Sequence, residues 1–171
     1  MDIKLAFLAD RPDLIPTLCE WFAEIWAPYY GPDGPGNAAA DLYAGCQVNA
    51  LPVCLLAVDG AGEPMGTASL KTVSVADLPR HGPWLAALVV RPNCAGRGIA
   101  NFLVQAIEIE AARRGETALY CDANTDETLK NPGGWEEADA NLLVNRGWTA
   151  IGTGDSLRGV TAIFEFAIHA D

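Results

Sequence analysis

Leu88-Val89-Val90-Arg91-Pro92-Asn93-Cys94-Ala95-Gly96-Arg97-Gly98-Ile99-Ala100 is the stretch that decides the fold. It closes a continuous apolar run from Trp84 to Val90, as expected of a strand covered on both faces, and Pro92 ends that strand. Ile99, Phe102, Leu103, Ala106, Ile107 and Glu110 then follow the i, i+3, i+4, i+7 spacing of a helix, and Arg113, Arg114 and Gly115 suit its C-terminus. Thr117 to Asp122 reads as the next strand. A strand, a helix and a strand within about 40 residues form a βαβ unit with parallel strands. The turn inside it carries chemistry. N–H groups at a helix start lack intrahelical partners and the dipole there is positive, so Gly96 and Gly98 let a pyrophosphate approach the backbone where a side chain would obstruct it. Arg91 and Arg97 add local positive charge.

Upstream, Ile3 to Phe7 reads as a first strand, and Leu14, Leu18, Trp21, Phe22 and Ile25 as a helix ending before Pro28, with Asp13 as cap and Pro16 in the first turn. Tyr29 to Gly36 is too rich in Gly and Pro to be regular, and Asn37 can cap a short helix from Ala38 to about Gln47. Val53 to Val58, the turn Asp59 to Gly62, and Met65 to Val75 read as an antiparallel hairpin. Downstream, Ala123 to Gly134 is irregular, a helix is expected from about Trp135 to Arg146, and strands near Trp148–Ile151 and Thr161–Ile168 finish the chain. The expected architecture is α/β of the α+β type: a mixed, mostly antiparallel central sheet with one parallel βαβ unit, flanked by about four helices.

A chain of 171 residues, 50% apolar, suits one domain over residues 1–171. No apolar run reaches the roughly 18 residues of a membrane span, and Met1 to Asp10 has no apolar stretch of the kind a secretory signal needs, so a cytoplasmic location is expected. Five cysteines with no C-x-x-C pair, and two histidines, argue against a metal site. The net charge of −11 disfavours nucleic acid and anionic membrane surfaces and favours a cationic or neutral partner. Surplus carboxylates also serve solubility alone.

Ala95 to Ala100 resembles the fingerprint Q/R-x-x-G-x-G/A of the GNAT superfamily of acetyl-CoA-dependent N-acetyltransferases, with Gly98 and Ala100 in its last two fixed positions and Ala95 where Gln or Arg is usual. Leu88-x-Val90-x-Pro92 before it and Asn145-Arg146-Gly147-Trp148 near the end are similar to the family's order of elements. The resemblance implies acetyl-CoA as cosubstrate, held by the backbone of Leu88, Val89 and Val90 and by the turn Ala95, Gly96, Arg97, Gly98, Ile99 and Ala100. Asn124 and Thr125, just past the strand end, are candidates to touch the pantetheine arm, though as turn formers they need no such role. It implies direct acetyl transfer to an amine, the Leu88 N–H facing the thioester carbonyl, so Cys94 need not be a nucleophile. The positions where many members carry a Glu base and a Tyr acid correspond here to Trp84 and Leu143.

The proton acceptor is therefore sought elsewhere, and His81 and Asp122 are the candidates. A histidine after Arg80 is ordinarily a solvated loop residue, and an aspartate at a strand end ordinarily a turn former. Trp26, Tyr29, Tyr30 and Trp84 are candidate walls of an acceptor site, since aromatic faces suit an amine. The expected partner is a small-molecule amine, with neither nucleic acid nor membrane, and a homodimer is left open. Two rivals stand beside this reading: a CoA-binding sensor or interaction module without catalysis, and a dinucleotide-binding enzyme in which Gly96-x-Gly98 opens a helix and Asp122 ends the next strand.

Overall fold

Six alternating apolar residues, Val53 to Val58, set the layering of the molecule. In the computed structural model, which describes residues 2–73, 82–124, 133–156 and 159–169, all six are buried. Val53, Leu55 and Ala57 point into a core with Ile99, Leu103, Val104 and Ile107. Cys54, Leu56 and Val58 point the other way, against Leu18, Trp21, Phe22 and Leu42. A strand buried on both faces must sit between two helical layers.

The elements in chain order are β1 (Lys4–Phe7), α1 (Ile15–Ile25), α2 (Ala27–Tyr30), α3 (Ala38–Ala44), β2 (Val53–Val58), β3 (Pro64–Lys71), β4 (Trp84–Val90), α4 (Ile99–Arg113), β5 (Ala118–Ala123), β6 (Glu136–Glu137), α5 (Ala140–Asn145), β7 (Thr149–Ser156) and β8 (Gly159–Ala167). The sheet runs β1-β2-β3-β4-β5-β8-β7, with β6 added to β4. Among the described residues only β4 and β5 pair in parallel; the other pairings are antiparallel. The doubly wound parallel sheet that a dinucleotide-binding enzyme requires is not formed.

Helix α4 crosses close to β3 at Gly66. A Cβ there would lie 2.9 Å from the Val89 carbonyl oxygen and 3.0 Å from Leu103 Cδ1, so only glycine lets the helix settle at this depth. Asn37 caps α3 as expected, its Oδ1 accepting the Ala40 N–H at 3.0 Å. Asp13 does not cap α1. It lies in a 3-10 turn paired with Arg11 at 2.8 Å, and the N-cap is Leu14, with Pro16 in the first turn.

The last helix is shorter than its sequence pattern suggests. Asp139 Oδ1 accepts the Leu142 N–H at 2.7 Å and starts α5 at Ala140, while Glu136 and Glu137 are extended and pair with β4. The extra helix relative to the expected four is the single turn α2. Pro28 occupies its first turn, where proline needs no N–H partner. No helix among the described residues is long and apolar enough to cross a membrane.

One buried polar network ties α4 to the C-terminal elements. Glu108, 8% exposed, accepts from Arg146 Nε at 2.9 Å and from Arg146 Nη2, and its Oε1 also takes the Trp148 indole N–H at 2.9 Å. Arg146 Nη1 reaches Asn101 Oδ1 at 2.9 Å. This explains Arg146-Gly147-Trp148: the arginine pairs, the glycine turns at φ +92°, and the tryptophan enters the core. Removing one member of a buried charge pair strands the other. We expect Glu108→Ala to lower the free energy of unfolding by about 3 kcal/mol in urea titrations. A change below about 0.5 kcal/mol, the range of ordinary surface substitutions, would show that Arg146 and Trp148 find water instead.

Candidate functional site

Among the described residues, strands β4 and β5 share a single register pair, at the start of β4 and the middle of β5. Trp84 pairs with Tyr120, and the Tyr120 N–H donates to the Pro83 carbonyl at 3.0 Å; beyond that point the strands part. The opening is a cavity of about 330 Å³, floored by Leu85, Ala86, Ala87 and Leu88 of β4 and by Cys121, Asp122 and Ala123 of β5, with Asn124 at its rim.

The β4 side is shaped by a bulge. Thr67 faces Val89 and Ser69 faces Ala86, so Ala87 and Leu88 together stand opposite the single Ala68. Ala87 has φ +52°, an uncommon conformation for a residue with a Cβ. Left-handed backbone costs a non-glycine residue roughly 1–2 kcal/mol, so the surrounding structure must enforce it. The bulge interrupts the ladder and brings Ala87 and Leu88 to the cavity wall.

Aromatic and acidic groups from the first half of the chain close the other side. Trp26, Tyr29 and Tyr30 line the cavity; Tyr29 and Tyr30 meet edge to face at 4.7 Å. Gly36 folds the loop back on them, donating its N–H to the Tyr29 carbonyl at 2.8 Å. The Tyr30 hydroxyl donates to Asp41 Oδ2 at 2.5 Å. Burial first, and then Asp41, push the Tyr30 pKa up, so it stays a phenol through the neutral range. Glu137 accepts the Trp26 indole N–H at 3.1 Å and also lines the cavity. Asp41, Asp122 and Glu137 thus face one space, which Lys71 also lines.

The glycine turn lies at the end of β4. Gly96 and Gly98 have φ +73° and +82°, and a Cβ on either would meet nothing within 4 Å. The room above this backbone is open. Gly98 is the N-cap of α4 and offers no side-chain cap, while Ile99 and Ala100 are buried and present only backbone outward. The Gly96 N–H has a partner, Glu136 Oε2 at 2.8 Å.

The fold brings together most of the residues picked out from the sequence. Leu88, Asp122, Asn124, Trp26, Tyr29 and Tyr30 all line the cavity, and Ala95 to Ala100 form the turn beyond it. His81, like Thr125, lies outside the described residues. Trp84 does not line the cavity: it is 1% exposed and packs on Tyr120 and Ile163. Leu143 is wholly buried in the core. Asp41 and Glu137 were not singled out by sequence: Asp41 joins the site through Tyr30, 11 residues away across an irregular loop, and Glu137 through Trp26, 111 residues away. Among the described residues, no group of three His, Cys, Asp or Glu could hold a metal ion.

Residues 15–130 match the family model described as "Acetyltransferase (GNAT) family". Among solved structures, an aminoglycoside 6'-N-acetyltransferase complexed with coenzyme A superposes with a TM-score of 0.71 at 18% identity, covering 100% of this chain and 99% of that one. The aminoglycoside 6'-N-acetyltransferase of Enterococcus faecium gives 0.68 at 17% identity, with 100% and 99% covered. The paiA N-acetyltransferase of Thermoplasma acidophilum in complex with coenzyme A gives 0.66 at 15%, with 98% and 99% covered. At such identities the likeness is one of fold. No curated protein matches the chain in sequence.

Cys121 is the cysteine on the cavity wall, 2% exposed, and burial, followed by the charge of Asp122, raises its pKa well above that of an ordinary thiol. The protonated thiol is a poor nucleophile. We expect iodoacetamide at pH 8 to alkylate Cys121 roughly tenfold or more slowly in the folded protein than in urea, read by peptide mass spectrometry. The rate should climb only as pH passes the ordinary thiol range, because the folded pKa is raised. Equal rates in both states would place a reactive thiolate in the cavity.

Proposed function

The chain belongs to the acetyltransferase (GNAT) family, and from that premise we propose that it moves the acetyl group of acetyl-CoA directly to a primary amine of a small molecule. The observation that carries this reading is the pairing of an open, left-handed glycine turn with an acidic, aromatic cavity at the bulge of one strand. The turn fits a pyrophosphate: it offers backbone N–H groups at a helix start, no obstructing Cβ, and Arg91 and Arg97 nearby. The backbone of Leu88, Val89 and Val90 and the side chain of Asn124 would hold the pantetheine arm between turn and cavity.

Acetyl-CoA supplies a thioester whose carbonyl carbon forms the new C–N bond as the C–S bond breaks and coenzyme A leaves as the thiol. The Leu88 N–H faces the carbonyl oxygen and donates to the charge that develops there. Asp122, on the cavity wall, takes the proton that the amine must lose, directly or through one water, and that proton passes on to the departing thiolate. Asp41 and Glu137 attract a cationic acceptor, and Trp26, Tyr29 and Tyr30 present faces to it. Neither Cys94, buried beside Arg91, nor Cys121, held as a thiol, is suited to carry the acetyl group. The unit acting is residues 1–171 as one cytoplasmic domain.

A catalytically silent CoA-binding module is the second reading. It is favoured by Trp84 and Leu143, buried apolar groups at the positions where many members keep a Glu and a Tyr. Release of free coenzyme A from acetyl-CoA across a panel of amines separates the two. We expect release with amines and none with purely hydroxyl or anionic acceptors; release with hydroxyl acceptors alone would refute the amine assignment.

Two substitutions test the parts. Gly98→Val places a β-branched residue at φ +82° and fills the space over the turn, so acetyl-CoA should bind at least roughly tenfold more weakly in calorimetry. Unchanged binding by a folded variant would move the site elsewhere. Asp122→Asn should lower turnover by about a hundredfold at saturating acetyl-CoA, the usual worth of a general base. A loss of less than about tenfold would remove Asp122 from proton transfer.

A further inference from the structure

The β4 edge that would receive the pantetheine arm already has a neighbour in this chain. One edge of β4 is paired with β3, and the other is joined to β5 only at Trp84. Over the end of that second edge lies β6, antiparallel, with Val89 opposite Glu137 and Val90 opposite Glu136. Buried backbone groups must find partners, and here β6 supplies them.

The same short segment also fills the anion position. Glu136 Oε2 accepts the Gly96 N–H at 2.8 Å, so a carboxylate stands where the turn would take a phosphate oxygen. The flanks are fastened. Trp135 lies 5.4 Å from the Trp21 ring and donates its indole N–H to Glu24 at 3.2 Å, and Glu137 holds the Trp26 indole N–H. Gly133 and Gly134, at φ +89° and +79°, allow the bend that leads into it.

From these contacts, and resting on the cofactor reading above, we infer that residues 135–138 are an internal occupant of the acetyl-CoA site, with Glu136 standing in for a phosphate and β6 for the pantetheine backbone pairing. Cofactor and segment cannot share the Val89–Val90 edge, so acetyl-CoA binds as the segment withdraws. Among the described residues, the holding contacts include two facing residue pairs, one carboxylate on an N–H, two indole hydrogen bonds and the Trp21–Trp135 ring contact. A pyrophosphate brings more charge to the same N–H groups than one carboxylate does. Apparent affinity is then the intrinsic affinity reduced by the fraction of molecules already open. The segment also links the cavity to the turn, because Glu137 lines the first while Glu136 covers the second.

The experiment is calorimetric titration of acetyl-CoA into the full chain and into Glu136→Ala, with thermal melts confirming the fold. If about a tenth to a third of molecules are open, the variant should bind roughly threefold to tenfold more tightly. Trp135→Ala, which loosens the anchor without touching the turn, should shift affinity the same way. Trp135→Phe gives an independent signal: acetyl-CoA should change the tryptophan fluorescence of the parent, and most of that change should vanish in this variant. Equal or weaker binding by both Glu136→Ala and Trp135→Ala, with the parent still binding, would overturn the inference and leave the cofactor site standing. A parent that binds no acetyl-CoA would overturn the cofactor reading itself.

Discussion

Two parallel strands that part after one residue pair are the constraint on which the site depends. Had β4 and β5 stayed hydrogen-bonded beyond Trp84 and Tyr120, the sheet would be continuous and the cavity absent. Their divergence follows from what holds each on its far side. β5 is zipped to β8 over six residue pairs, Ala118 with Ala167 through Ala123 with Ala162, and β4 is zipped to β3 with a bulge that bends it. The gap between the two halves collects the polar groups Asp41, Lys71, Asp122 and Glu137.

The side and the start of the helix in the βαβ unit have opposite physical characters. Along one side of α4, from Asn101 in its first turn to Glu108, Arg146 and Trp148 form a network that fixes the helix to the last strands. At the N-terminus Gly98 offers no side-chain cap, and the contact on the turn is the distant Glu136 carboxylate on the Gly96 N–H. A helix held rigidly along its side can present backbone N–H groups at its start without drifting. Burial of Leu103 and Ile107 against β2, and the missing Cβ of Gly66, also hold the helix axis.

Much of this was legible in the sequence, for local reasons. The apolar run at Trp84, the i, i+3, i+4 pattern after Ile99 and the Asn37 cap each depend on neighbours within a turn or two, so the residues announce them. Trp26, Tyr29, Tyr30 and Asp122 were singled out from position and chemistry, and the fold assembles them. What escaped reading depends on distant partners. Ala87 carries no mark of a left-handed residue; β3 imposes that conformation by offering one residue opposite two. Asp41 enters the cavity through Tyr30. Trp135 to Arg146 looks helical by period, but Asp139 competes as a cap and the free β4 edge takes Glu136 and Glu137 as a strand. Trp84 was a candidate wall because aromatic faces suit an amine, yet packing on Tyr120 and Ile163 turns it into core.

The left-handed alanine at position 87 bears on how this chain would respond to laboratory evolution. Glycine is the residue that relaxes a positive φ, and a longer, straighter pairing with β3 is the rearrangement that abolishes it. A selection for heat resistance alone would reward either change, but only glycine keeps the bulge and the gap beside it. Position 87 is thus a place where a stability library should offer glycine while the pairing with β3 is held constant.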